Sequence, residues 1–145
     1  MKGRVNELEA VHRLTADYYA QIGQKYGLKF FHIRYLMEIC EEPGRQQDSF
    51  VRRGNLNKSS IARHFAFLEE NGFIRRQAGE NDRRILRVFP TEKAQRTMPD
   101  FQEALARWEQ ALMRGISARE DAALEKILLQ IQQNAEAFLL AEEIK

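Results

Sequence analysis

No stretch of the chain approaches the roughly 18 uninterrupted apolar residues that a membrane span needs, so no membrane partner is expected. Cysteine is nearly absent. Cys40 is the only one, which rules out a disulfide within the chain and fits a reducing, cytoplasmic setting. The first residues, Met1-Lys2-Gly3-Arg4-Val5-Asn6-Glu7, put charges where a signal peptide would need an apolar stretch. His12, His32 and His64 are scattered, with no His-x-x-x-His or Cys-x-x-Cys spacing, so neither a metal site nor a cofactor is expected. There is no glycine-rich phosphate loop and no nucleophile elbow. Cys40 and His32 stand eight positions apart on one helix, about 12 Å along its axis, too far to act as nucleophile and base. The sequence offers no catalytic residue, and an enzyme is not expected.

What is present is an uneven charge. The 145 residues carry a net charge of +2, but residues 44–90 hold ten basic side chains against five acidic ones, while the segments before and after are neutral and acidic. A positive field confined to one third of the chain points to a polyanionic partner.

The apolar pattern is mostly helical. Leu8, Val11, Thr15, Tyr18 and Ile22 share one face of a helix over about 5–24, and a denser run from Phe30 to Cys40 reads as a core helix over 30–42. Pro43-Gly44 ends it, and Arg45-Gln46-Gln47-Asp48 reads as a polar connection. A short helix is expected over 47–54, closed by a turn at Gly54-Asn55. Asn57 reads as the cap of a helix running to Asn71-Gly72, with Ile61, Phe65 and Leu68 as its buried stripe. Two strands follow, 73–77 and 84–89, joined by a polar tip at 78–82. Thr91 caps a long helix that Pro99 should kink or restart. Ser117-Ala118-Arg119-Glu120 is a capping box, opening a last helix with Leu124, Ile127, Leu128, Ile131, Ala135 and Phe138 on one face. The fold class expected is mainly α, with a two-stranded β wing, in one domain spanning 1–145.

A helix with a polar outer face, followed at once by an arginine-rich hairpin, is a coherent device for double-stranded DNA. The major groove admits one helix, and arginine, serine and histidine can read base edges there. Ser59, Arg63, Ala66 and Glu70 fall opposite the buried stripe, with Ser60 and His64 flanking. Lys58 lies by the helix N-terminus, where backbone amides favour phosphate. The hairpin supplies Arg75, Arg76, Arg83, Arg84 and Arg87. An arginine at its tip can enter a narrow minor groove, and Asp82 could hold Arg84 in a fixed pose through a bidentate pair.

Here the sequence resembles the MarR family of bacterial winged helix-turn-helix regulators. The resemblance rests on Asn57-Lys58-Ser59-Ser60-Ile61-Ala62-Arg63, on Leu68-Glu69-Glu70-Asn71-Gly72-Phe73-Ile74-Arg75-Arg76, on Asp82-Arg83-Arg84, and on Thr91-Glu92-Lys93. It implies a DNA-binding part over about 30–90 and dimerisation helices over about 5–24 and 92–143. It also implies a homodimer acting on a pseudo-palindromic operator, and in many members a response to small aromatic ligands. Tyr18, Tyr19, His32 and Tyr35 lie on the two helices that border the effector pocket in that family; as plain sequence they read equally as core. A winged-helix module that holds an acidic protein partner, without specific DNA binding, is the alternative that composition leaves open.

Overall fold

The computed structural model describes residues 3–51 and 57–144. In chain order they form α1 (Arg4–Gly23), a 3-10 turn (Gln24–Tyr26), α2 (Phe30–Glu41), β1 (Arg45–Gln46), a second 3-10 turn (Gln47–Phe50), α3 (Lys58–Glu70), β2 (Ile74–Ala78), β3 (Leu86–Pro90), α4 (Glu92–Leu112) and α5 (Ala118–Ile144).

Helix α2 is the centre of the core. Ile33, Leu36 and Ile39 recur at helical spacing and are fully buried. Against them pack Ile61, Phe65 and Leu68 of α3, Val88 of β3 and Phe101 of α4. Tyr35, Phe50 and Phe65 meet edge to face, with ring centroids 5.1 to 6.1 Å apart, an arrangement that aromatic quadrupoles favour. Helix α1 packs on α2 through Tyr19 and Phe30, and is tied to α4 as well. The Tyr18 hydroxyl donates to the Ala104 carbonyl at 2.9 Å, and Trp108 Nε1 donates to Thr15 Oγ1 at 3.2 Å.

Two local expectations meet a different outcome. The wing hairpin belongs to a three-stranded antiparallel sheet in the order β1-β3-β2, not a two-stranded one. Arg45 and Gln46, read as loop from their polarity, pair with Val88 and Arg87. Two residues are too few to show a period of two, so β1 carries no pattern to read. The short helix expected at 47–54 is a 3-10 turn over Gln47–Phe50; its remainder, and the Gly54-Asn55 turn, lie outside the described residues. Pro99 lies within α4, which runs on past it without a restart. Met98 and Phe101, 7% and 0% exposed, anchor that stretch to the core and offset the missing backbone bond.

The caps follow the sequence closely. Asn57 accepts from the Ser60 amide at 2.9 Å, and Thr91 accepts from the Ala94 amide. Ser117 and Glu120 accept from each other's backbone amides, the reciprocal bonds of a capping box.

Helix α5 differs from the rest. Among its described side chains, residues 118–143, none is buried within the chain, and Ile127, Leu129, Ile131 and Phe138 stand 39% to 64% exposed. Val5, Leu8, Val11 and Leu14 of α1 are similarly bare.

Candidate nucleic-acid interface

The candidate surface is built from α3 and the β2–β3 hairpin. Helix α3 owes its place to the Asn57 cap, to the Ile61, Phe65 and Leu68 stripe, and to Gly72, whose φ of +79° ends the helix in the left-handed region. With that stripe inward, Ser59, Arg63 and Glu70 stand exposed on the far side, and Ala66 is half-buried. Arg63 Nη2 donates to Ser60 Oγ at 3.1 Å, so its guanidinium is laid along the helix toward the N-terminus. Lys58 Nζ lies 3.4 Å from the Asp48 carboxylate, with both side chains more than half exposed. Such a surface pair is worth little, and Lys58 can exchange that carboxylate for a phosphate.

His64 turns inward from this face. Its ring lies 4.3 Å from Phe31 and 5.8 Å from His32. Burial, with Arg63 and Lys29 nearby, holds its imidazole below the usual histidine range. It is therefore neutral where a phosphate contact would want a cation.

In the hairpin the period of two decides which arginines face outward. Ile74, Arg76 and Val88 share the inner face, where Ile74 pairs with Pro90 and Arg76 with Val88. Arg75, Gln77, Arg87 and Phe89 share the outer one. Arg76 is accordingly committed within the chain. Its guanidinium donates to Glu69 Oε1 and to Gln47 Oε1, and its side chain is 19% exposed. Arg75 lies over the Phe89 ring at 4.2 Å and donates to Gln77. Arg87 donates to the Gly44 carbonyl at 3.0 Å. Arg83 is exposed.

At the tip, Asp82 Oδ1 accepts from the Arg84 backbone amide at 3.0 Å and from Nε at 3.1 Å, while Oδ2 accepts from Nη2 at 3.1 Å. The Arg84 side chain remains 91% exposed. This is the bidentate fork expected from the sequence. The same bonds hold the Asp82 carboxyl below the ordinary aspartate range. Gly79 allows the tip to close, since a Cβ there would meet the Asp82 carbonyl at 2.8 Å.

The four residues considered for a ligand are not gathered around one cavity. Tyr19, His32 and Tyr35 are core residues at 4% to 6% exposure. His32 Nδ1 accepts from the Lys29 amide at 3.0 Å, and its ring stacks on Phe67. Burial, then the neighbouring His64 and Lys29 charges, push it down to about 4. Tyr18 stacks on Trp108 at 4.8 Å and, with Leu14, Asp17, Gln21 and Gln24, lines an open groove of about 550 Å³ between α1 and α4. Nothing in the spacing of Trp108 along its helix announces a groove.

Glu69 and Gln47 are the polar residues that sequence reading passed over. Gln47 is buried, and both meet Arg76. Counting alternately from the buried Ile74 would have turned Arg76 inward and raised the question of its partner. Among the described residues no cluster could hold a metal ion, and no helix is long and apolar enough to cross a membrane.

A capped helix with a polar outer face, followed by a hairpin whose tip holds out an oriented arginine, defines a winged helix-turn-helix protein. Residues 32–86 match the model of the MarR family. The "Uncharacterized HTH-type transcriptional regulator YybA" of Bacillus subtilis is 26% identical over 102 residues, 70% of this chain and 68% of that protein. The structure of a MarR transcriptional regulator from Methanosarcina mazei Go1 superposes with a TM-score of 0.82 at 26% identity, covering 90% of this chain and 94% of that one. A MarR-family regulator from Listeria monocytogenes, complexed with a 26mer DNA, gives a TM-score of 0.89 at 22% identity over 99% and 95% of the two chains. Over residues 32–86 the chain is thus similar to the MarR family, and its fold is that of MarR-family transcriptional regulators.

Proposed function

We propose that the protein is a sequence-specific regulator in which a homodimer presents two α3 helices and two wings to a pseudo-palindromic operator in double-stranded DNA. The observation that carries this is the Arg84–Asp82 fork. An exposed guanidinium held by two hydrogen bonds, with a third from the Arg84 backbone amide to the same carboxylate, is set to enter a minor groove with little left to order. Arg63, Ser59 and Ser60 take the base edges, and Lys58, Arg75, Arg83 and Arg87 the backbone. Arg76 and His64, turned into the protein, leave the contact set. The work divides between residues 30–90, which meet DNA, and the terminal helices over 5–24 and 92–143, which pair. A cytoplasmic setting fits both the lone cysteine and the partner.

Surface area supports the pairing. The chain exposes 10864 Å² for a mass of 17.0 kDa, where a compact monomer of that mass exposes about 7,700 Å². Exposed apolar side chains on α1 and α5, among them Val5, Leu14, Ile127 and Phe138, supply a surface of the kind a large obligate interface covers.

An electrophoretic shift on DNA from the protein's own promoter region, at several salt concentrations, tests the proposal. Selective binding of one segment over competitor DNA supports it; failure to bind any DNA, at low salt as at high, sinks it. Arg63→Ala is expected to lose about 1–3 kcal/mol on that segment and much less on random DNA. An equal loss on both would make Arg63 a phosphate contact.

The response to a small aromatic effector is assigned to the groove beside Tyr18, where the half-buried Tyr18–Trp108 stack lines the wall and offers a surface for a further ring. Trp108 is the sole tryptophan, so its emission reports on the groove directly. A neutral planar aromatic such as phenol is expected to quench it saturably, and Tyr18→Ala to abolish the effect. Emission that is unmoved, or moved equally in the variant, removes the effector from this groove.

A further inference from the structure

Strand β2 is an edge of the sheet, paired with β3 on one side only. An edge amide that points away from the ladder needs another acceptor. For Arg76 that acceptor is the Glu69 carboxylate of α3, at 2.8 Å. The same carboxylate takes Nε at 3.3 Å and Nη2 at 3.1 Å. Arg76 Nη1 then reaches Gln47 Oε1 at 3.1 Å, in the 3-10 turn that follows β1. One arginine thus ties together the end of α3, the first strand of the wing and the segment ahead of α3. The joint between α3 and β2 is only Asn71-Gly72-Phe73, held at its root by the Gly72 and Phe73 amides donating to the Glu69 and Leu68 carbonyls, and the Arg76 ties are what hold the wing further out.

We infer that Glu69 is a positioning residue, acting through Arg76 and Gln47 to set the angle of the wing against the recognition helix. The inference rests on the DNA-binding proposal above. Arg63 on α3 and Arg84 on the wing must meet two grooves of one duplex at once, and about 1 Å of misplacement costs such contacts heavily. Removing the carboxylate leaves the Arg76 edge amide without its protein acceptor and the guanidinium with Gln47 alone. The wing is then free to pitch.

Two measurements test this. The first needs no DNA: spin labels at Ser59→Cys and Glu80→Cys, in a Cys40→Ser background and diluted with unlabelled protein, read the separation of helix and wing tip. The expected distribution is narrow in the parent, broad in Glu69→Ala, and narrow again in Glu69→Gln, whose amide oxygen can still accept from the Arg76 amide. Should Glu69→Ala fail to fold, Arg76→Lys, which keeps the charge and loses the fork, is expected to broaden the distribution instead. A distribution unchanged by these variants overturns the inference, whatever the protein does with DNA.

The second is a double-mutant cycle on the selected DNA segment. Arg84→Ala is expected to cost less than about twofold in the Glu69→Ala background, against its full factor in the parent, while Arg63→Ala costs the same in both. A role confined to stability would leave both factors unchanged, and an undiminished Arg84→Ala loss overturns the inference. If the parent selects no DNA, it is the regulator proposal that falls, and the label distances still decide Glu69.

Discussion

The variant Ile131→Asp/Phe138→Asp is expected to be a monomer with an intact winged-helix core, and to have lost operator affinity by about a hundredfold or more. Within one chain these two side chains are 39% and 64% exposed, and none of the described side chains of α5 is buried. The substitutions therefore remove nothing from the core around α2, and the thermal transition of the DNA-binding part should survive. What they strike is a helix of 27 residues, about 40 Å long, whose apolar side chains have no cover in the chain itself. Four carboxylates would be introduced per dimer into a surface that is apolar on this reading, and buried unpaired charge is among the costliest of defects. A separated protomer then holds one half-site where the dimer holds two, one helical turn of DNA apart. Light scattering gives the mass and a shift assay the affinity. A variant that remains a folded dimer would place the interface elsewhere than on α5. A clean monomer with undiminished affinity would instead remove the need for paired half-sites.

How much of this could be read in the residues themselves depended on the kind of signal. Helices with caps and buried stripes were legible to within a residue or two: Asn57, Thr91 and Ser117 mark starts through their own side-chain bonds, and Ile61, Phe65 and Leu68 mark a face. The Asp82–Arg84 fork was legible because both partners lie two residues apart in one turn. Strand β1 was not, since its register with β3 bridges more than forty positions and its two residues carry no period. Arg76 and Arg75 look alike as adjacent charges, yet the pleat sends one to Glu69 and the other over Phe89. His64 reads as a polar residue at the margin of the outer face, and only the packing of Phe31 from α2 turns it inward. For β1 and His64 a contact distant in the chain decided the outcome, and composition holds no record of such contacts; for Arg76 the alternation from Ile74 was there to be followed.

Asp82→Ala is expected to bind its operator more weakly than the parent, by about tenfold, although it removes a negative charge from a surface that faces phosphate. Net charge alone predicts the reverse: one fewer carboxylate should raise affinity, most of all at low salt. The fork predicts loss, because Asp82 spends both oxygens on Arg84 and fixes the backbone amide and the guanidinium together. Without it a long side chain with 91% exposure must be ordered during binding, and side-chain ordering is a direct cost to affinity. Arg84→Ala supplies the reference. It removes the groove contact and one cationic charge, so affinity falls and the slope of log K against log salt drops by about one. The double variant should then match Arg84→Ala closely, since an orienting carboxylate with nothing to orient has no further part. Titrations of the four proteins at two salt concentrations give the signs. If Asp82→Ala binds more tightly than the parent at moderate salt, Asp82 orients nothing, and Arg84 is one more charge on a basic wing.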